Sequence, residues 1–165
     1  QETFYCIVMM YEEEFVFIQT ELFGFLQNIT EQTQPLWGKM NAQQMVEHLT
    51  DFFNVSTEKI IFPLVTAEEH LPKYREFLYS DKEFRENTKA PASVLGEEPL
   101  PLRAPTMQKA KDKLKDAVDN FINYFDAVKG KTTLHPVFGQ LSFDEWLLLH
   151  SKHIRHHLRQ FGATF

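Results

Sequence analysis

Apolar positions recur at helical spacing in four stretches of the 165-residue chain. Segment 12–28 leads into Ile29 and sets Phe15, Ile18, Leu22, Phe25 and Ile29 at alternating steps of three and four, one stripe of a helix. Glu12, Glu13 and Glu14 suit its N-terminus, where the backbone dipole is positive. Segment 42–60 follows Asn41 as N-cap and carries Met45, Leu49, Phe52 and Phe53 on one side. Segment 107–128, after Pro105 and Thr106, turns Met107, Ala110, Leu114, Ala117, Phe121 and Phe125 inward and ends before Gly130. Segment 143–161 opens at Ser142, whose hydroxyl can cap the backbone while Glu145 reaches back, and Gly162 closes it.

Between the second and third of these helices lie about 45 residues, too many for a tight bundle turn and therefore a crossover or an insertion. Residues 66–86 are expected to form short irregular helices interrupted at Pro72. The stretch from Pro91 to Pro105, with four prolines and Gly96, is expected to be ordered coil. The expectation is an all-α fold: one domain over 1–165, a four-helix bundle with one elaborated connection between helices 2 and 3.

Composition narrows the setting. Apolar residues make up 43% and aromatics 14%, with sixteen phenylalanines, enough for a dense core. The net charge of −6 and pI near 5.6 repel phosphate backbones and anionic lipid, so no nucleic-acid or membrane partner is expected. The longest apolar run, Phe4 to Tyr11, is far short of the roughly 20 residues that span a bilayer, and no basic n-region precedes it. A cytoplasmic protein is expected, and the lone Cys6, which reads as a small core residue, fits a reducing compartment. With Gln1 in first place, the natural start of the chain is left open.

Seven histidines occur, and four of them, His150, His153, His156 and His157, crowd into one stretch of the last helix. At about 100° per residue, Trp146, His153 and His157 share one flank, within about 60° of His150, and His156 points further round. Residues four apart stand one turn above each other, with Cβ atoms about 6 Å apart, so His153 and His157 can turn two ring nitrogens onto one ion. A divalent site needs a third ligand from another element, and His48, at the margin of the stripe formed by Met45, Leu49 and Phe52, is the candidate. The competing reading of His48 is a partly buried core histidine bonded to a carbonyl.

The remaining polar residues read more plainly. His150 lies central on the inward face, as a satisfied core histidine or a substitute ligand. His156 reads as exposed or as a donor to a ligand, and His70 and His135 lie in connections with no chemistry assigned. Gln160, near the flank of His153, is a helix-surface glutamine or a partner of a ligand. Glu47 and Asp51 flank His48 and read as solvated charge, with a general base as the alternative.

The segment HIRHHLRQFG (153–162) resembles the last-helix signature of the DinB-like superfamily, four-helix bundles with a metal held by three histidines, and LWGKMNAQQMVEHL (36–49) resembles its second-helix block. HPVFGQLSFDEW (135–146) is similar to one uncharacterised branch of that superfamily. The resemblance implies a four-helix bundle with one ligand from the second helix and two, four residues apart, from the fourth, which fall on His48, His153 and His157. It implies thiol-dependent S-transfer or a related metal-dependent activity, and a homodimer paired through helices as an option that the residues themselves do not read.

Three readings of function follow. In the first, a divalent ion on three imidazoles keeps its charge and an open position, and the chain is an enzyme that transfers a low-molecular-weight thiol or hydrolyses a small molecule. No serine or cysteine nucleophile motif, phosphate loop or dinucleotide fingerprint competes with that reading. Its cavity wall is expected from Trp37, Phe52, Trp146 and parts of 88–105. In the second, the ion serves a non-catalytic ligand-binding module, and in the third the helices form an interaction domain with no metal. Three imidazoles suit zinc, nickel, iron or manganese alike.

Overall fold

A computed structural model describes residues 11–165; Cys6 and most of the Phe4–Tyr11 run lie outside the described residues. The first helical stretch is continuous but not uniform: α1 (Glu12–Val16) passes through a π-helical turn (Phe17–Glu21) into α2 (Leu22–Gln27). A π turn holds extra residues per revolution and so rotates the face that follows it. Phe17, Ile18, Leu22, Leu26 and Ile29 are consequently the buried positions, and the expected Phe15 and Phe25 are only half-buried.

Helix α3 (Ala42–Ser56) starts at Asn41, whose side chain accepts from Gln44 N while Gln44 Oε1 accepts from Asn41 N, a capping box at 2.8 and 2.9 Å. It ends four residues before the expected stop, and Glu58 just beyond takes a left-handed conformation at φ 61°. A 3₁₀ turn (Glu68–His70) leads into α4 (Leu71–Tyr79). Pro72 sits in the first turn of α4, where a missing N–H is harmless, so it begins a helix instead of interrupting one. Helix α5 (Met107–Ala127) is capped by Thr106, and α6 (Phe143–Gln160) by the expected Ser142 and Glu145 pair.

The all-α expectation is corrected by a two-stranded antiparallel hairpin, β1 (Thr132–His135) and β2 (Gly139–Ser142), between α5 and α6, and by the extra helix α4. The fold is a helical assembly with a small sheet, not a plain four-helix bundle. The hairpin hides its identity because its buried side chains in β1 are the polar ones: Thr133 and His135 point inward, and Leu134 is half-buried. Each has a partner that makes the burial tolerable. Thr133 Oγ1 donates to Ser56 O (2.8 Å) and accepts from Trp146 Nε1 (2.7 Å). His135 Nδ1 accepts from Val137 N (2.9 Å) and Phe138 N (3.1 Å), which closes the turn, and Gly139 follows at φ 81°.

Helices α3 and α5 pack along each other, and α6 meets α3, α1, α4 and β2. Met45, Leu49, Phe53, Leu114, Phe121 and Trp146 are among the fully buried side chains at the centre of this arrangement. The stretch after α4 runs as turns and coil, as expected for the proline-rich segment; Ser80 and Lys82 bond to Lys152 of α6, and Leu100, Arg103 and Ala104 to Gln44, Glu47 and Gln43 of α3. Among the described residues no helix is long and apolar enough to cross a membrane.

Candidate metal centre

His48 faces α6 from the middle of α3, and His153 and His157 face it from consecutive turns of α6. Their Nε2 atoms converge: His48 to His153 is 3.0 Å and His157 to His153 is 3.1 Å. The three histidines form a group able to hold a metal ion, each offering one nitrogen and all nitrogens within 4.8 Å of one another. Four-coordinate zinc with bonds of about 2.0–2.1 Å separates its nitrogens by about 3.3 Å, and the two contacts to His153 are a few tenths of an ångström from that spacing.

The protonation states favour a cation at this point. Gln160 Nε2 donates to Trp37 O (2.9 Å), so the amide presents Oε1 to His157 Nδ1 at 2.7 Å. An amide oxygen only accepts; His157 therefore carries its proton on Nδ1 and a lone pair on Nε2. His153 Nε2 touches two other ring nitrogens, and one proton on it can satisfy only one of those contacts. A cation would satisfy all three lone pairs together. Burial keeps the imidazoles neutral: it holds His48 down at about 4 and pushes His153 and His157 well below the ordinary imidazole value, with repulsion from the neighbouring rings adding to it.

No carboxylate joins the cluster among the described residues. Glu47 turns away from it and is buried, contrary to the expected solvated charge: its Oε1 accepts from Arg103 N (2.8 Å) and Ala104 N (3.1 Å). Asp51 makes a two-pronged pair with the Arg103 guanidinium at 2.9 and 2.7 Å. Both acids clamp the crossover onto α3 and are thereby occupied, which leaves no general base among them.

The walls are aromatic. Phe52 lies over His153 with ring centroids 4.0 Å apart, Phe84 faces His153 and His156, and Trp37 packs on His156. Phe84 was not expected, since it precedes the 88–105 segment and nothing in its spacing marks it. Trp146 belongs to the core instead, bonded to Thr133 and stacked on His150. His156 is buried, not exposed. His150 is fully buried between Phe53 and Trp146 and stands apart from the cluster, with no hydrogen bond to either ring nitrogen. It is therefore neither a fourth ligand nor a satisfied core histidine. Gln160 is a partner of a ligand, but of His157 at a spacing of three, not of His153.

Residues 85–164 are similar to the family described as Protein of unknown function (DUF1569). The matched stretch is just under half of the chain; it contains His153, His157 and Gln160 and leaves out His48. Neither the curated proteins nor the solved structures give a match.

Proposed function

We propose that the chain is a metal-dependent enzyme that uses His48, His153 and His157 to hold a divalent ion and acts on a small molecule, by thiol transfer or by hydrolysis. The observation that carries this reading is the convergence of three neutral imidazole nitrogens with both neighbouring carboxylates engaged elsewhere. A divalent ion bound there supplies Lewis acidity with its full charge uncancelled and room for a further ligand, which activates a water or a thiol as nucleophile. The resemblance to the DinB-like superfamily supports the same reading, and zinc, nickel, iron and manganese all suit the donor set.

The chain's own residues would do three things. His157, fixed by Gln160, and His153, held under Phe52, present their nitrogens without rearrangement. Phe52, Phe84 and Trp37 line the approach with apolar surface, which suits the apolar part of a small substrate and keeps bulk water out. Glu47 and Asp51 hold residues 103–104 of the crossover on α3, beside the site.

The test is to load the protein separately with the four metals and assay each form with low-molecular-weight thiols plus an electrophilic dye, and with simple esters and amides. Turnover by a loaded form that disappears in His153→Ala is the expected result. Rates no different from those of the His153→Ala protein with every metal and substrate would sink the enzyme reading.

A further inference from the structure

We infer that Gln160 is a positioning residue of the three-histidine site, and that the turn at Trp37 and Gly38 in turn holds Gln160; this rests on the metal reading above. Gln160 is buried, and both ends of its amide are used: Oε1 accepts from His157 Nδ1 at 2.7 Å and Nε2 donates to Trp37 O at 2.9 Å. An amide could flip and offer its nitrogen to His157, which would move the proton to Nε2 and point an N–H at the cluster. The Trp37 carbonyl forbids that flip, since two oxygens would then face each other.

The turn that presents this carbonyl is specific. Gly38 has φ 79°, and a Cβ built on it would lie 2.8 Å from Gln160 Nε2. A side chain at this position would push the amide away from Trp37 O, so the residue's smallness serves the amide as well as the backbone. Leu36 N donates to Gln160 O at 2.7 Å through the main chain, which keeps the segment docked on α6 whatever the side chain at 160. Segment 36–38 and the end of α6 therefore form a chain that runs Gly38, Trp37 O, Gln160, His157. Its effect is to make the lone pair of His157 Nε2 permanent before any ion arrives.

The test compares Gln160→Leu, Gln160→Glu and Gly38→Ala with the parent protein by two readouts. Nitrogen-15 NMR of the metal-free protein reports which ring nitrogen of His157 is protonated, and competition with a chromophoric chelator gives the affinity for Zn²⁺. The parent protein should show His157 protonated on Nδ1. Gln160→Leu should show mixed tautomers and bind Zn²⁺ about 10–100-fold more weakly. Gln160→Glu keeps an acceptor for His157 Nδ1 but sets its second oxygen against Trp37 O, so it should restore the Nδ1-protonated form and part of the affinity, and Gly38→Ala should likewise fall between Gln160→Leu and the parent. An unchanged tautomer and affinity in Gln160→Leu would overturn the role of Gln160 alone. Gln160→Glu as weak as Gln160→Leu would overturn it too, because the loss would then follow docking of the loop and not the bond to His157. A parent protein that takes up no Zn²⁺ would instead overturn the metal reading.

Discussion

The Nε2 atoms of His48 and His153 lie 3.0 Å apart, although 105 residues separate them along the chain. Such an approach of two neutral rings, with a third nitrogen 3.1 Å from the second, concentrates lone pairs that only a cation or a shared proton can reconcile. His48→Ala, His153→Ala and His157→Ala should therefore each reduce retained metal to below about a tenth of the parent value, since a chelate of three ligands loses most of its affinity with one. His156→Ala, whose ring packs on Trp37 and Phe84, should keep most of the metal. Elemental analysis after gel filtration decides this, and equal metal in all four variants would mean that the ion sits elsewhere.

Ion binding should also appear as stability. A ligand that binds only the folded state adds about 2.7 kcal/mol at a hundredfold excess over Kd, which for a chain of this size raises Tm by roughly 5–10 °C. The shift should vanish in His157→Ala. It should also vanish on acidification, but later than for exposed imidazoles: burial holds His48 at about 4 and His153 and His157 well below the ordinary value, so retention should persist at about pH 5.5 and fall, more steeply than a single titration, only as pH drops toward about 4. Loss of the ion from a folded protein already near about pH 6 would mean that the rings titrate as exposed imidazoles and are not held neutral by burial.

Much of this centre was legible because helical spacing is a local property. A spacing of four from His153 to His157 puts both rings on one flank of α6, and the caps at Asn41 and Ser142 fixed where the helices begin. The hairpin was not legible, because alternation predicts a strand from apolar residues facing in, and here Thr133 and His135 face in. Their burial depends on Ser56 O and Trp146 Nε1, which are distant along the chain, and on two amides of an irregular turn, none of which a periodic pattern registers. The π turn at Phe17–Glu21 misled the first helix in a similar way, since a constant rotation per residue cannot anticipate it. Glu47 looked like surface charge because its partners, the amides of Arg103 and Ala104, come from the crossover.

That crossover clamp can be measured. Glu47→Ala would leave the Arg103 and Ala104 amides without their acceptor; an unmet buried donor costs about 1–3 kcal/mol. The expected outcome is a loss of that order in urea unfolding, together with faster proteolytic cutting within 88–105. Arg103→Ala removes a half-exposed guanidinium from Asp51 and should cost less, about 0–1 kcal/mol. A larger loss in Arg103→Ala than in Glu47→Ala would mean that the ion pair, not the pair of amide bonds, holds the segment.

His150 supplies the sharpest test of how burial acts in this core. Its ring stacks on Phe53 at 3.9 Å, neither ring nitrogen has a partner, and burial pushes its pKa well below the ordinary value of 6.5. The folded state therefore stays neutral at this residue while the unfolded chain takes up a proton as pH falls below about 6.5. Because the unfolded state binds more protons in that window, stability is fully retained above 6.5 and is lost as pH falls toward the depressed folded value. His150→Leu cannot take up that proton. At pH 7.5 both states are neutral, and the variant trades a ring stack of about 0.5–1.5 kcal/mol against an unpartnered N–H of about 1–3 kcal/mol, so it should be close to the parent or slightly more stable. At pH 5.5 the parent loses a further amount of about 1.4 kcal/mol through this one residue, and the difference should widen by that amount in favour of the variant. Urea unfolding of both chelator-treated proteins at the two pH values measures it. A difference between them that does not change with pH would show that His150 is already able to take up its proton in the folded core.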